Sequence, residues 1–283
     1  SDQMRRIAEL SQGSLDDTPG AMNWFGQALA LDPEDEMSLG QLDELAQQSG
    51  AWQVYTDALL AAAESGEAER KVELWLKASV ATLEHLGNRE DTELLFLQIL
   101  AVDEDNGQAL SGLDNLYTTD ERWEDLDAVL NRRVAVADYE DEQVKILGRL
   151  AALYRDKLNR PEDAVKALQQ VTGLDEGNLS SLKELAELYR ASEQGDELFK
   201  VLETLSTLLP KEEERCAAFE EMAQLAEQAL DRPEDAIGLW EEVLMLQPEH
   251  MDGLHNLQRL LEQASKWEEL AESIERELRL LGE

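Results

Sequence analysis

The stretch RPEDAVKALQQV, Arg160–Val171, returns 72 residues later as RPEDAIGLWEEV, Arg232–Val243. One period earlier, Glu162 and Asp163 fall on Glu90 and Asp91. Fixed-period self-similarity on this scale is the signature of a repeat architecture. Other landmarks keep the period. Asp175 and Asn178 in LDEGN fall on Asp103 and Asn106 in VDEDN and, after a one-residue deletion, on Asp32 and Asp35 in LDPED. Phe25, Phe96, Leu168 and Trp240 share a register. So do Trp52, Trp123, Gly195 and Trp267, and so do Leu59, Leu130, Leu202 and Ile274. The chain therefore reads as four blocks, 1–66, 67–138, 139–210 and 211–283, forming one array over 1–283.

Each block reads as four helices. In the third block, Val144, Leu147, Leu150, Ala151 and Tyr154 have the spacing of an amphipathic helix over about 141–158. Pro161 starts the second helix, where its missing N–H costs nothing, and Glu162 and Asp163 favour the positive end of the helix dipole. This helix is expected to end near Gly173. Asn178 is the expected N-cap of a third helix reaching Ala191. A fourth helix runs from Gly195 to Pro210. LAALYRD at Leu150 and LAELYRA at Leu185 lie 35 residues apart, so the unit is a helical hairpin repeated about eight times. Connections this short force antiparallel neighbours.

Small residues followed three positions later by Tyr (Ala151/Tyr154, Ala186/Tyr189), with LALDPED at Leu29 and LMLQPEH at Leu244, resemble the tetratricopeptide repeat. The resemblance covers essentially the whole chain. It departs from the family pattern at large residues such as Leu198 and Leu202 and in hairpins longer than the family's own. The W-E-x-L starts at Trp123 and Trp267 and the double-length unit are similar to helical arrays of myxobacteria and their relatives. The resemblance implies an all-α, right-handed α-α solenoid in which the first helix of each hairpin lines a concave groove. It further implies a non-catalytic scaffold or adaptor whose partner is a protein, as a peptide segment or a folded domain. A bacterial polarity or motility adaptor for a Ras-like GTPase is the narrower form of that expectation.

Charge sets limits on partners. The formal net charge is −38, which repels phosphate backbones and anionic membranes and so argues against nucleic-acid or membrane binding. The same field would favour basic partners, giving an acidic chaperone for histone-like clients as the alternative function. It also keeps a long helical array soluble. No apolar run is long enough to span a membrane, no signal peptide is visible, and a cytoplasmic setting is expected. Cys216, the one cysteine, lies at a small-residue position of a helix with no His in a recognisable relation to it, and reads as a buried structural thiol. His85, His250 and His255 have no metal spacing. No cofactor, metal or catalytic set is expected.

Projecting the repeat gives candidate groove residues. The blocks carry charges of −10, −10, −5 and −13. In the third, the least acidic, Lys145, Arg149, Arg155, Lys183 and Arg190 project to the groove; His255 and Arg259 follow in the fourth. Two readings stand: a basic stripe that seats a carboxylate-rich segment, or ion pairs with acids on adjacent helices. Lys145 and Arg149 match one repeat of the family's carboxylate clamp. Gly112, with Asn115 displaced by one turn, and Leu76 and Val80 do not match the rest, so clamp function is rejected. Leu76, Val80 and Leu83 recur on one helix face, either as an apolar partner patch or as core. Trp52, Trp123 and Trp267 are expected to plug joints between hairpins. Trp24 and Trp75 are expected nearer the surface. Leu278, Leu280 and Leu281 suggest a final helix that continues into further repeats or docks on something.

Overall fold

Two sets of left-handed turn residues mark the hairpin joints in a computed structural model that describes residues 2–15 and 17–282. Gly50, Glu121, Glu193 and Ser265 all have φ between 55° and 72°, and Gly87, Asn159 and Asp231 between 52° and 66°. Members of each set lie one period apart. A residue in this conformation closes a helix C-terminus and reverses the chain. Glycine does so without a Cβ clash, and Asn159 and Asp231 are of the types that tolerate it, so the local cost falls on the three remaining positions, Glu121, Glu193 and Ser265.

The chain divides into two compact units, Ser1–Asp138 and Tyr139–Glu283, at the boundary between the second and third blocks. Among the described residues, the first unit holds α1 (Asp2–Ser14), α2 (Thr18–Leu31), α3 (Glu36–Ser49), α4 (Trp52–Ser65), α5 (Ala68–Glu84), α6 (Arg89–Val102), α7 (Gly107–Thr119) and α8 (Trp123–Val136). The second holds α9 (Glu140–Asp156), α10 (Pro161–Leu174), α11 (Leu179–Ala191), α12 (Gly195–Leu208), α13 (Glu212–Gln228), α14 (Pro233–Leu246), α15 (Met251–Gln263) and α16 (Trp267–Leu281). Within each unit, successive helices are joined by two to four residues and pack on one another. Each unit is therefore a short α-α solenoid of four hairpins. Odd-numbered helices are the first of each hairpin and even-numbered helices the second.

Capping explains the helix starts. The side chains of Asp17, Asp35, Asn88, Asn106 and Asn178 each accept a bond from the backbone N–H three residues on. At α15 the Nδ1 of His250 does the same for Gly253 at 2.9 Å. Such a bond satisfies one of the orphan donors of a helix N-terminus. In α10 and α14, Pro161 and Pro233 occupy the first turn with their paired acids.

Burial follows the repeat. Phe25, Phe96, Leu168 and Trp240 are all buried, as are Leu59, Leu130 and Leu202. The small and tyrosine positions Ala151, Tyr154, Ala186 and Tyr189 are buried too. The fourth member of the Leu59 register, Ile274, is exposed on α16, and so are Leu278 and Leu281. Trp24 and Trp75 correct an expectation: both are half-buried and pack against the first unit's core rather than lying free on the surface.

Candidate partner-binding site

In the second unit the first helices are tied by ion pairs running from one hairpin to the next. Arg155 on α9 reaches Glu184 on α11 at 2.6 Å. Lys183 on α11 reaches Glu214 on α13 at 2.9 Å. Arg190 on α11 holds Glu221 on α13 through two parallel bonds of 2.7 and 2.8 Å. Arg259 on α15 holds Glu227 on α13 through bonds of 2.5 and 2.8 Å. The sequence separations of 29 to 32 residues are those of successive first helices. Of the other candidates, Lys145 and Arg149 are exposed on α9. His255 turns to Glu277 on α16 at 3.1 Å, within its own hairpin.

These contacts set the charge states. The bond to Glu221 raises the Arg190 guanidinium above its ordinary value. Arg259 holds the Glu227 carboxyl below the usual range, and Lys183, then Lys211, does the same to Glu214. A carboxylate arriving from a partner would have to displace a carboxylate already in place. Bidentate pairing is geometrically selective, but solvent screening leaves exposed pairs of this kind only a small contribution. The row can therefore exchange partners but offers little net gain for doing so.

The first unit presents a different surface. A cleft of about 380 Å³ is lined from three successive first helices: Asp43 and Gln47 on α3, Leu76 and Val80 on α5, and Gln108 on α7. Val80 is 51% exposed. The cleft also includes Trp52 and His85, whose rings stack at 3.7 Å between centroids and 8° between planes. Trp52 begins α4 and His85 ends α5, so the stack fills the joint between two hairpins, as the tryptophan register predicts. Tyr55 adds an edge contact to the same indole, with ring centroids 5.7 Å apart. Asp43 raises the Tyr55 hydroxyl pKa together with the larger effect of burial. Leu83, the third member of the expected apolar face, is half-buried and does not line the cleft. Trp267, in the same register as Trp52, is 61% exposed at the start of α16.

Three further clefts lie between successive second helices: α4 and α6, α10 and α12, and α14 and α16. The sequence reading placed partner contacts on first helices and missed these. The signal was present in the polar and acidic stripes of the second helices, but acid is so common in this chain that no stripe stood out. Cys216 is buried, and burial, with Glu220 3.5 Å away, pushes its thiol up to about 11. The same Glu220 accepts from His250 Nε2 at 3.1 Å and so orients the ring that caps α15, while the thiol stays protonated. Among the described residues no group of His, Cys, Asp and Glu is arranged to hold a metal, and no helix is long and apolar enough to cross a membrane.

No family model and no curated protein matches the chain. Among solved structures it is similar to YrrB, a tetratricopeptide repeat protein described as having an unusual peptide-binding site. That match has 17% identity and a TM-score of 0.38, and covers 71% of this chain and 97% of that one. It is similar to the C-terminal part of a tetratricopeptide repeat-containing protein from Cytophaga hutchinsonii, at 11% identity and a TM-score of 0.41, over 89% of this chain and 98% of that one. A tetratricopeptide repeat protein from Parabacteroides merdae matches at 12% identity and a TM-score of 0.37, over 92% and 98%. The chain's own hairpins are short antiparallel pairs: Ala151, Tyr154, Ala186 and Tyr189 are buried in α9 and α11, and α6, α8, α10, α12, α14 and α16 carry acids in their first turn.

Proposed function

We propose that the chain is a non-catalytic scaffold that holds a protein partner against the first-helix side of its first unit. The observation that carries this reading is the cleft around Leu76 and Val80, with the exposed Val80 beside the Trp52–His85 stack. Stacking explains why the surface is there. A hairpin cannot bury its apolar face alone, and its neighbours complete the core while leaving one side of each first helix to vary. A concave surface with apolar walls and a few polar groups suits one or two partner side chains. The basic row of the second unit, Arg155, Lys183, Arg190 and Arg259, serves chiefly to hold hairpins in register, with Lys145, Arg149 and His255 at its margins.

The narrower form is a bacterial adaptor in the cytoplasm, with a Ras-like GTPase as its partner; its support is the likeness of the repeat alone. The alternative, an acidic chaperone for basic clients, draws support from the net charge of −38. Affinity capture with the wild type and with Val80→Glu separates the readings. A scaffold of the proposed kind loses its partner in the variant at moderate salt. A charge-driven chaperone keeps its clients in the variant and releases them as salt rises.

A further inference from the structure

The cleft between α4 and α6 differs from the other two second-helix clefts in charge. Its α4 wall is the stripe Gln53, Asp57, Leu60 and Glu64, and its α6 wall is Asp91, Leu94, Leu95 and Gln98. Both stripes have helical spacing, so each wall is one face of one helix. Trp75, Thr82 and Leu86 of the preceding first-helix segment form the floor. The volume is about 480 Å³. Asp57, Glu64 and Asp91 line it, and no Lys or Arg does. The α10–α12 cleft includes Lys200, and the α14–α16 cleft includes Arg276 and Arg279. Lys200 occupies the repeat position of Asp57, so at one register the charge is reversed between the two units. The acidity of this cleft is thus a local property beyond the acidity of the whole chain.

Two further observations point to an occupant. Asp57 accepts a bond from Gln53 and Asp91 from Asn88, but none of the three carboxylates is ion-paired to a base among the described residues. The floor residue Thr82 is 2% exposed, and its Oγ1 has no hydrogen-bond partner. A buried hydroxyl without a partner carries a desolvation cost that a bound donor or acceptor would relieve. The walls are apolar where the carboxylates are not: Leu94 is 57% exposed on one wall, Leu60 stands on the other, and Leu86 and Trp75 belong to the floor. Trp75 has the Lys71 ammonium 5.6 Å from its ring centroid, a geometry in which an indole attracts a cation.

We infer that this cleft binds a cationic side chain, lysine or arginine, on an aliphatic-flanked segment of a protein partner. The aliphatic stem lies along Leu60 and Leu94, the charged head meets Asp57, Glu64 and Asp91, and a polar group of the segment meets Thr82 Oγ1. Long basic side chains suit such a site because their stems bury readily while the head stays hydrated. The inference concerns a second surface and does not depend on the first-helix cleft.

The test uses the whole chain and the peptide acetyl-Leu-Arg-Leu-Leu-Lys-Leu-amide, with a glutamine-for-base version as control. Affinity comes from fluorescence anisotropy and location from leucine methyl shifts. Binding should move the Leu60 and Leu94 methyls, and the control peptide should bind at least about 10-fold more weakly, as expected on losing charge-assisted bonds. Asp57→Lys should weaken binding about 10-fold. That variant installs the residue type the same register carries at position 200, so the fold accommodates it, and circular dichroism checks this. Thr82→Val should weaken binding several-fold while leaving helicity unchanged. No binding of the basic peptide, equal binding of both peptides, unchanged affinity in both variants, or shifts confined to Leu76 and Val80 would each overturn the inference. A negative result with Val80→Glu bears only on the first-helix cleft.

Discussion

Arg190 grips Glu221 with Nε and Nη2 at 2.7 and 2.8 Å, joining α11 to α13 across 31 residues of sequence. The same device recurs between Arg259 and Glu227, one hairpin further on. Arg155, Lys183, Arg190 and Arg259 are thus committed to neighbouring hairpins, which is why the apolar cleft of the first unit is the better candidate for a partner.

The Arg259–Glu227 pair should leave a pH signature. Glu227 titrates below its unfolded value because Arg259 bonds its charged form. The pair's contribution is therefore fully present above the unfolded glutamate pKa of about 4.3 and is lost as pH falls through the lowered folded value. Arg259→Met should cost about 0.5–1 kcal/mol near neutrality, the small figure reflecting the pair's exposure. Denaturant unfolding of both proteins at pH 6 and pH 2.5 checks this. The gap should close at the lower pH, and a gap that stays constant would mean that packing, not charge, is lost in the variant.

Gly112 lies against the ring of Phe96, and a Cβ built at Gly112 overlaps Phe96 Cζ. Phe96 is buried, so the ring has little room to retreat. Gly112→Ala should destabilise the first unit by about 1–3 kcal/mol, the usual cost of overpacking. Gly148→Ala, where a Cβ meets nothing within 4 Å, should raise stability slightly by improving helix propensity. Thermal unfolding of the two variants should therefore shift in opposite directions.

The joints offer a backbone test. Glu193 sits at φ 56° in the register that Gly50 fills at φ 72°. Glu193→Gly should stabilise by up to about 1 kcal/mol, because the left-handed strain relieved exceeds the added chain entropy. Gly50→Ala should cost about 1 kcal/mol for the converse reason. Equal and negligible changes in midpoint would show that these joints carry no strain.

His250 caps α15 through Nδ1, which must be unprotonated to accept from Gly253 N–H. His250→Ala should cost about 1 kcal/mol, and His250→Asn should recover most of it, since Asn is a strong N-cap. Chemical denaturation of the three proteins decides the matter. A loss that Asn fails to restore would assign the role of His250 to its contact with Glu220 instead.

The architecture was legible because punctuation repeats along with composition. Pro161 and Pro233 start helices as read, Asn178 caps α11 through Ser181 N at 3.1 Å, and α9 begins and ends within two residues of its expected limits. The left-handed joints were half legible: Gly50 and Gly87 announce themselves, whereas Glu121 and Glu193 do not, because glutamate carries no sign of a positive φ. The ion pairs were legible only as alternatives, since which acid lies beside Arg155 or Arg190 depends on how hairpins stack. Trp24 and Trp75 fell outside the shared register and read as surface, yet a bulky ring beside small residues such as Ala78 finds room to pack. The α4–α6 cleft could not be read, because it needs two stripes 38 residues apart and a floor from a third helix.

A photo-crosslinking residue placed at position 80 tests the central proposal most directly, with the same residue at Met245, which is also exposed, as the control. Irradiation in cells should give a discrete partner adduct from position 80 that is absent from position 245 and lost when His85→Ala opens the Trp52 stack. Adducts of equal pattern at both positions, or none at position 80, would contradict a partner seated in the first-helix cleft.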